Sequence, residues 1–399
     1  MDRRSFLLAL SRVGVSAAAL ASLPPWMRAA VAATSPGAAT DAAGPVEMIV
    51  RNDRPEHWES TIEALGRSWI TRNDRFFVRS HLSVPRIDPA AWRLEVTGLV
   101  LKPFTLSLAE LKKLPQEEAA ITLECAGNGR GLFNLPNTTG TQWQLGAVGN
   151  ATWGGVRLAR LLERAEVATE GKHVWLEASD QAPMPGPPPF LRSIPIEKAM
   201  DDVMLAHTMN GEPLPELHGA PLRAVVPGWF GMASTKWLTR LRVEEKPSDN
   251  HFMVKGYRYT YPGADPAAAP PVETLRVKSL ITRPLDGAQV DLAPSAKPGA
   301  KPKLRVQGFA WAGPAGVRLV EVSMDGGKSW SPAGFMGDMA RGAWRAWATE
   351  FEVVPPARLT LMARATDGAG EVQPAQAPPN AGGYGNNSIH KVTVRVRKA

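Results

Sequence analysis

Between Val46 and Tyr259 the chain consists of short apolar runs cut off by proline or glycine, which restricts it to many short strands joined by turns. Trp92-Arg93-Leu94-Glu95-Val96 and His173-Val174-Trp175-Leu176-Glu177 alternate apolar and polar side chains, whereas Ala120-Ile121-Thr122-Leu123 and Leu222-Arg223-Ala224-Val225-Val226-Pro227 are closer to continuous. A period of two puts alternate residues on one face of a sheet, and a short continuous run suits a strand covered on both faces. The 36 prolines and 36 glycines among 399 residues follow no period, so they mark turns rather than a collagen-like or disordered chain. Helical candidates are few and short: Ser107 to Lys113, Arg157 to Ala165 and Ile196 to Met200. The fold class expected is α+β.

From Pro262 to Pro271 the composition changes to that of an extended linker, Pro-Gly-Ala-Asp-Pro-Ala-Ala-Ala-Pro-Pro. Beyond it, alternating runs at Leu304 to Trp311, Arg318 to Met324, Trp344 to Val354, Leu359 to Ala365 and Val392 to Arg397 are separated by turn signals such as Asp325-Gly326-Gly327. That spacing predicts an antiparallel β-sandwich of immunoglobulin-like build. At the other end, Arg3-Arg4 precedes Phe6-Leu7-Leu8, an apolar stretch from Val13 to Leu23 and a small-residue cleavage region at Ala30-Val31-Ala32-Ala33. This pattern predicts a twin-arginine signal and export to the periplasm in the folded state. The expected organisation is a signal peptide over 1–33, a first domain over 34–261, a linker over 262–273 and a second domain over 274–399.

After residue 33 no apolar run approaches the roughly 18 residues needed to cross a bilayer, so no membrane span is expected once the signal is removed. The excess of 46 basic over 38 acidic residues shrinks without residues 1–33, which carry four arginines and one aspartate. No lysine–arginine run forms a nucleic-acid patch, and a small anion suits the scattered arginines better. Cys125 is the only cysteine, which excludes an intrachain disulfide and an iron–sulfur cluster held by several thiolates. With no C-x-x-C-H sequence for covalent haem, any redox centre must use few protein ligands.

Cys125 lies in Leu123-Glu124-Cys125-Ala126-Gly127-Asn128-Gly129-Arg130, where a strand-like run enters a loop of small residues. Glycines let the backbone approach a bulky group, and the nearby guanidinium of Arg130 favours a thiolate, the form that binds a soft metal. A lone cysteine is also often a small buried apolar residue, and the loop by itself leaves both readings open.

The Cys-Ala-Gly-Asn loop resembles that of the sulfite oxidase family, and further segments match in order. Phe77-Val78-Arg79-Ser80-His81 is similar to the family's F-x-R-N-H motif, and His218-Gly219-Ala220-Pro221-Leu222-Arg223 with Val226-Pro227-Gly228 to its H-G-x-P-x-R and V-P-G segments. Lys236-Trp237-Leu238 follows, and Asn210 to Pro215 and Ser323 to Trp330 add family-like text in each domain. The resemblance implies a molybdenum–molybdopterin cofactor, with the metal held by the pterin dithiolene, oxo or hydroxo groups and the sulfur of Cys125. It places Phe77, Val78, Arg79, Ser80, His81, Asp180, His218, Arg223, Ser234, Thr235 and Lys236 around the pyranopterin and its phosphate. It also implies an anion trap of Arg79, Arg130, Trp143 and Tyr257, oxygen-atom transfer to sulfite, electron transfer to a separate cytochrome c, no haem in this chain, and a homodimer through the second domain.

Four positions depart from the vertebrate pattern. Gly129 and Gly382 stand where arginines are usual, Thr139 where lysine is usual and Ser80 where asparagine is usual. A pocket with fewer cations admits a related enzyme acting on sulfane sulfur, an S-oxide or another oxyanion. A third reading is a non-catalytic exported binding or structural protein that keeps the fold. Arg364, in the last domain, carries no assigned role.

Overall fold

The computed structural model describes residues 48–135, 138–180, 188–294 and 299–399, so the signal peptide expected over 1–33 lies outside the described residues. Most of the described secondary structure is β-strand, and the longest helix, Leu158–Ala165, has 8 residues. In Arg93–Gly98, Leu94 and Val96 are buried while Glu95 and Thr97 are only partly covered, as the alternation requires. This strand belongs to a five-stranded sheet in the order Phe104–Ser107, Arg93–Gly98, Leu238–Glu244, His173–Ala178, Leu191–Pro195. Leu158–Ala165 buries Leu158, Leu161, Leu162 and Ala165, a stripe at helical spacing, in one core with Leu94, Val96, Leu176 and Leu241. Each buried leucine contributes about 2 kcal/mol. Ser107 starts the helix Leu108–Leu111 with a reciprocal capping box to Glu110.

A second sheet leads to the cysteine. Its strands run Glu212–Pro213, Met204–Met209, Val148–Arg157, Glu117–Glu124, with Arg223–Val225 also pairing to Met204–Met209. Val148–Arg157 is buried on both faces. A small sheet of Ile49–Asn52, His57–Glu59 and Val78–Arg79 brings the Phe77-Val78-Arg79 segment against it.

The segment expected as an extended linker contains one short turn and two buried residues. Asp265 caps a 3-10 turn at Pro266–Ala268, and Ala269 and Val272 are buried. Tyr259 N donates to Pro270 O (2.8 Å) and Val272 N to Tyr257 O (2.8 Å). Proline lacks an N–H but keeps its carbonyl, so a proline-rich stretch can still accept such bonds.

Beyond it, one sheet runs Lys278–Arg283, Lys303–Trp311, Arg345–Glu352, Gly334–Met336 and the other Gln289–Leu292, His390–Lys398, Ala357–Asp367, Val317–Ser323, Ser331–Pro332. Val306, Trp347, Val320, Leu361 and Val394 form the core that both sheets share. Arg364 pairs with Glu321 (2.8 Å) and lies over the Trp330 ring (4.2 Å), a role inside this half of the molecule.

His390 Nδ1 accepts a hydrogen bond from Ile281 N (3.2 Å), and burial holds the ring's pKa at about 4 rather than 6.5. Below pH 6.5 the unfolded chain takes up a proton that the folded chain refuses. This contribution to stability is therefore complete above pH 6.5 and is lost as pH falls towards 4, at up to about 1.4 kcal/mol per pH unit. His390→Asn is expected to flatten the fall in denaturant midpoint between pH 7 and 5. A slope equal to the parent's would contradict the assignment.

Candidate functional site

Strand Glu117–Glu124 ends one residue before Cys125, whose N–H still donates to Ala147 O (2.9 Å). The chain then turns: Asn128 N donates to Cys125 O (2.8 Å), Arg130 N to Gly127 O (2.8 Å) and Gly129 N to Gln144 O (2.6 Å). Gly129 has φ +86°, the left-handed region that glycine enters without strain. The Glu124 carboxylate anchors this loop. Its Oε1 accepts from Asn128 Nδ2 (2.9 Å) and Lys278 Nζ (2.9 Å), and its Oε2 from Trp311 Nε1 (2.8 Å).

Cys125 lines a cavity. Phe77, Arg79, His81, Asp180, His218, Arg223, Ser234, Lys236 and Tyr257 line the same cavity, although they come from separate stretches of the sequence. Val78, Ser80 and Thr235 stand just behind it. Val78 pairs with Trp58 between strands, and Ser80 Oγ accepts from Lys236 Nζ (3.1 Å). Thr235 is buried with its hydroxyl unpartnered among the described residues.

Two groupings divide the cavity wall. In the first, Arg223 is buried and spends its guanidinium on His218 O (2.9 Å), Ser234 O (3.0 Å) and Ala224 O (3.3 Å). Lys236 Nζ also donates to Leu217 O (3.0 Å). Burial lowers the pKa of Arg223 to about 9, drives that of Lys236 well below its usual range and holds His218 at about 3. Asp180 is pushed up to about 6 by burial, and its Oδ1 has no partner among the described residues. Desolvated basic side chains and an orphaned hydroxyl can donate to a buried phosphorylated ligand, and an orphaned carboxylate oxygen can accept from its ring N–H groups.

In the second grouping, His81 Nε2 and the Tyr257 hydroxyl share a hydrogen bond, and the His81 ring stacks on Phe190 (4.2 Å). Burial keeps His81 neutral and Tyr257 protonated. Tyr257 has φ +56°, a strained conformation that its packing enforces. Arg79 lines the cavity here and donates to Ser80 O.

The expectation of a favoured thiolate needs correction for the free protein. Burial raises the Cys125 pKa, and the opposing pull of Arg79, then of a hydrogen bond from the Gly127 backbone and then of Arg130, does not overcome it. Adjacency in sequence supplied the charge but not the desolvation. The thiol is therefore protonated until a group that binds sulfur displaces the proton. Among the described residues no three His, Cys, Asp or Glu side chains converge as a metal site. The cavity, its buried cations and this thiol fit a molybdopterin group that brings its other ligands with it.

Arg130 and Trp143 do not line the cavity. Arg130 Nε donates to Gly382 O (2.8 Å) and its Nη1 to Thr141 O (2.9 Å). Trp143 is fully buried against His57 at 6.0 Å between ring centroids, with its indole N–H unpartnered among the described residues. Thr139 is exposed.

Three residues near the site were absent from the sequence expectations. His57 joins Thr141 Oγ1 (2.7 Å) to Ser80 O (2.9 Å) and is held at a pKa of about 4 by burial and by Arg79. Arg192 is buried with its guanidinium over the Tyr257 ring (5.3 Å), and Tyr384 stacks on Tyr257 (5.2 Å). Arg192 left a readable signal, a charge inside the apolar run Phe190-Leu191-Arg192-Ser193-Ile194. His57 and Tyr384 left none.

Residues 81–252 match the family profile of the oxidoreductase molybdopterin binding domain, and residues 269–397 that of the Mo-co oxidoreductase dimerisation domain. The chain is 36% identical over 369 residues to mitochondrial sulfite oxidase of Rattus norvegicus, covering 88% of this chain and 66% of that protein, and so spans just under two thirds of that relative's length. It is 31% identical over 378 residues to sulfite oxidase of Arabidopsis thaliana, covering 88% of this chain and 94% of that protein. Its fold is similar to the crystal structure of the sulfane dehydrogenase SoxCD from Paracoccus pantotrophus, with TM-score 0.76 and 29% identity over 97% of this chain and 100% of that one. With Cys125 at a cation-lined cavity and both domain profiles matched, the chain belongs to the sulfite oxidase family of oxidoreductases that carry a molybdenum–molybdopterin cofactor.

Proposed function

We propose that the protein oxidises sulfite to sulfate in the periplasm and passes the electrons to a separate cytochrome c. In this reading residues 1–33 are a twin-arginine signal, 34–261 the catalytic domain, 262–273 a connection and 274–399 an immunoglobulin-like domain through which a homodimer forms. The observation that carries the reading is a single thiol, Cys125, opening on a cavity that holds Arg79 beside Tyr257.

Bound molybdopterin supplies oxygen-atom transfer and two-electron storage, with Cys125 as the protein ligand to its metal. Arg223, Lys236, His218, Ser234, Thr235 and Asp180 hold the pterin and its phosphate. Arg79 binds the substrate anion, and the Tyr257 hydroxyl, paired with His81, holds a proton at the reacting end. Phe190 and Met232 exclude water from that end.

Steady-state reduction of cytochrome c by sulfite, with molybdenum determined on the same sample, tests the reading, and a molybdenum-replete protein inert to sulfite would sink it. Arg79→Gln is expected to raise the sulfite KM about 10- to 100-fold, the size of a lost charge-assisted contact, with a smaller change in kcat. The same change at Arg130 is expected to lower stability more than affinity, because that guanidinium is bonded to Gly382 O and Thr141 O. Equal KM effects at both positions would return Arg130 to the anion site. The likeness to sulfane dehydrogenase SoxCD favours, as a second reading, a substrate bearing sulfane sulfur.

A further inference from the structure

The loop that carries Cys125 is closed by residues from the far end of the chain. Gly385 N donates to Ala126 O (2.8 Å), and Asn386 Nδ2 donates to Gly129 O (2.8 Å) across 257 positions of sequence. Gly129 O also accepts from Leu132 N (3.0 Å), and Arg130 Nε returns a bond to Gly382 O (2.8 Å). The first of these bonds bears on the sulfur. Ala126 C=O and Gly127 N–H belong to one planar peptide, so anchoring the oxygen fixes the direction of the N–H that bonds the Cys125 sulfur.

The anchoring segment has a fixed shape of its own. Asn380 Oδ1 accepts from Tyr384 N (3.0 Å) and its Nδ2 donates to Tyr384 O (2.8 Å), while the Tyr384 ring fills the space beside Gly382, where a Cβ would lie 2.2 Å from Tyr384 Cε2. Asn386 is buried, and its Oδ1 accepts from Ser388 N (3.0 Å) and Ser388 Oγ (2.7 Å), which leaves Nδ2 as the group that meets Gly129 O. A Cβ on Gly129 would lie 3.2 Å from Asn386 Cβ, so the glycine permits this close approach. Hydrogen bonds behind a metal-binding side chain set its orientation, and losing one costs about 10- to 100-fold in metal affinity or activity.

We propose that Asn386 is a positioning residue for the metal ligand: with Gly385 N it holds the Cys125 loop from the second domain, so that the sulfur and the N–H bonded to it meet the cofactor in one geometry. The inference rests on the reading of Cys125 as the protein ligand to molybdenum and does not depend on the substrate.

The test compares molybdenum-loaded wild type with Asn386→Ala, Asn386→Asp and Asn387→Ala, each as the full chain. Asn387 is the matched control: it is also buried and its Nδ2 donates to Val277 O (3.1 Å), away from the Cys125 loop. Three quantities are measured: the unfolding temperature, the rate of molybdenum loss where all four proteins are folded, and the visible circular dichroism, which reads how the sulfur sits about the metal. Asn386→Ala is expected to speed molybdenum loss about tenfold or more and to change the dichroism. Asn386→Asp keeps the volume but sets an acceptor against Gly129 O, and is expected to do the same; where Asn386→Ala does not fold, this variant decides. Asn387→Ala is expected to lower the unfolding temperature by a similar amount while keeping the wild-type rate and dichroism. Equal rates of loss in the Asn386 and Asn387 variants overturn the inference, as do a wild-type rate and dichroism in Asn386→Asp. A Cys125→Ser protein that loses molybdenum no faster than wild type would instead remove the ligand reading on which the inference rests.

Discussion

A Cys125→Ser protein is expected to fold like the parent and to lose turnover by at least roughly 10³-fold, equivalent to about 4 kcal/mol of transition-state stabilisation. The fold should survive because the side chain lines the cavity and the exchange of sulfur for oxygen changes little volume. Its backbone anchors, Cys125 N to Ala147 O and Asn128 N to Cys125 O, do not involve the side chain. Turnover should fail because a hydroxyl neither ionises near neutral pH nor offers the soft donor that a thiolate gives to molybdenum. Thermal unfolding, molybdenum content and sulfite turnover on one preparation check all three claims. Turnover above a tenth of the parent's would refute Cys125 as the ligand.

The largest stability effect is expected at Lys278. Its ammonium and the Glu124 carboxylate are each 3% exposed and bonded at 2.9 Å, joining the strand before Cys125 to the first strand of the second domain. Lys278→Met would leave Glu124 with the Asn128 and Trp311 donors but no counter-charge, at a cost of about 3 to 5 kcal/mol. Removing the charge as well, in Glu124→Gln with Lys278→Met, is expected to recover more than half of that loss, since replacing both partners of a buried pair costs far less than stranding one. Denaturant unfolding of parent, single and double variants measures this. A double variant no more stable than Lys278→Met would show that the loss comes from packing rather than from the stranded charge.

The strands were legible because burial imposes a short-range rule. Leu94 and Val96 are covered and their neighbours less so, and that alternation is written along Trp92 to Val96. The helix Leu158–Ala165 was legible for the same reason at its own period. Ser107, the N-cap residue of Leu108–Leu111, also opened the helical candidate that began there. A composition of proline and alanine says nothing of which carbonyls find donors, and Pro270 O finds Tyr259 N.

At the site, Cys125 stood out as the only thiol, and the residues grouped with it by motif mostly meet at one cavity. Arg130 did not follow. Its neighbourhood in the chain suggested a charge beside sulfur, but Thr141 O and Gly382 O claim its donors. A guanidinium bonds whatever acceptors the tertiary structure brings near, and one of these is 252 positions away in sequence.

By itself the sequence determined the strand-rich architecture, the single thiol and the cationic residue types grouped with it, because periodicity, count and residue type are properties of the chain. Only the tertiary structure decided which of those cations remain at the cavity, that burial keeps the free thiol protonated, and that Tyr384 stands where Gly382 leaves room. Desolvation and the competition of backbone carbonyls for side-chain donors depend on contacts between distant segments, and no local pattern encodes them.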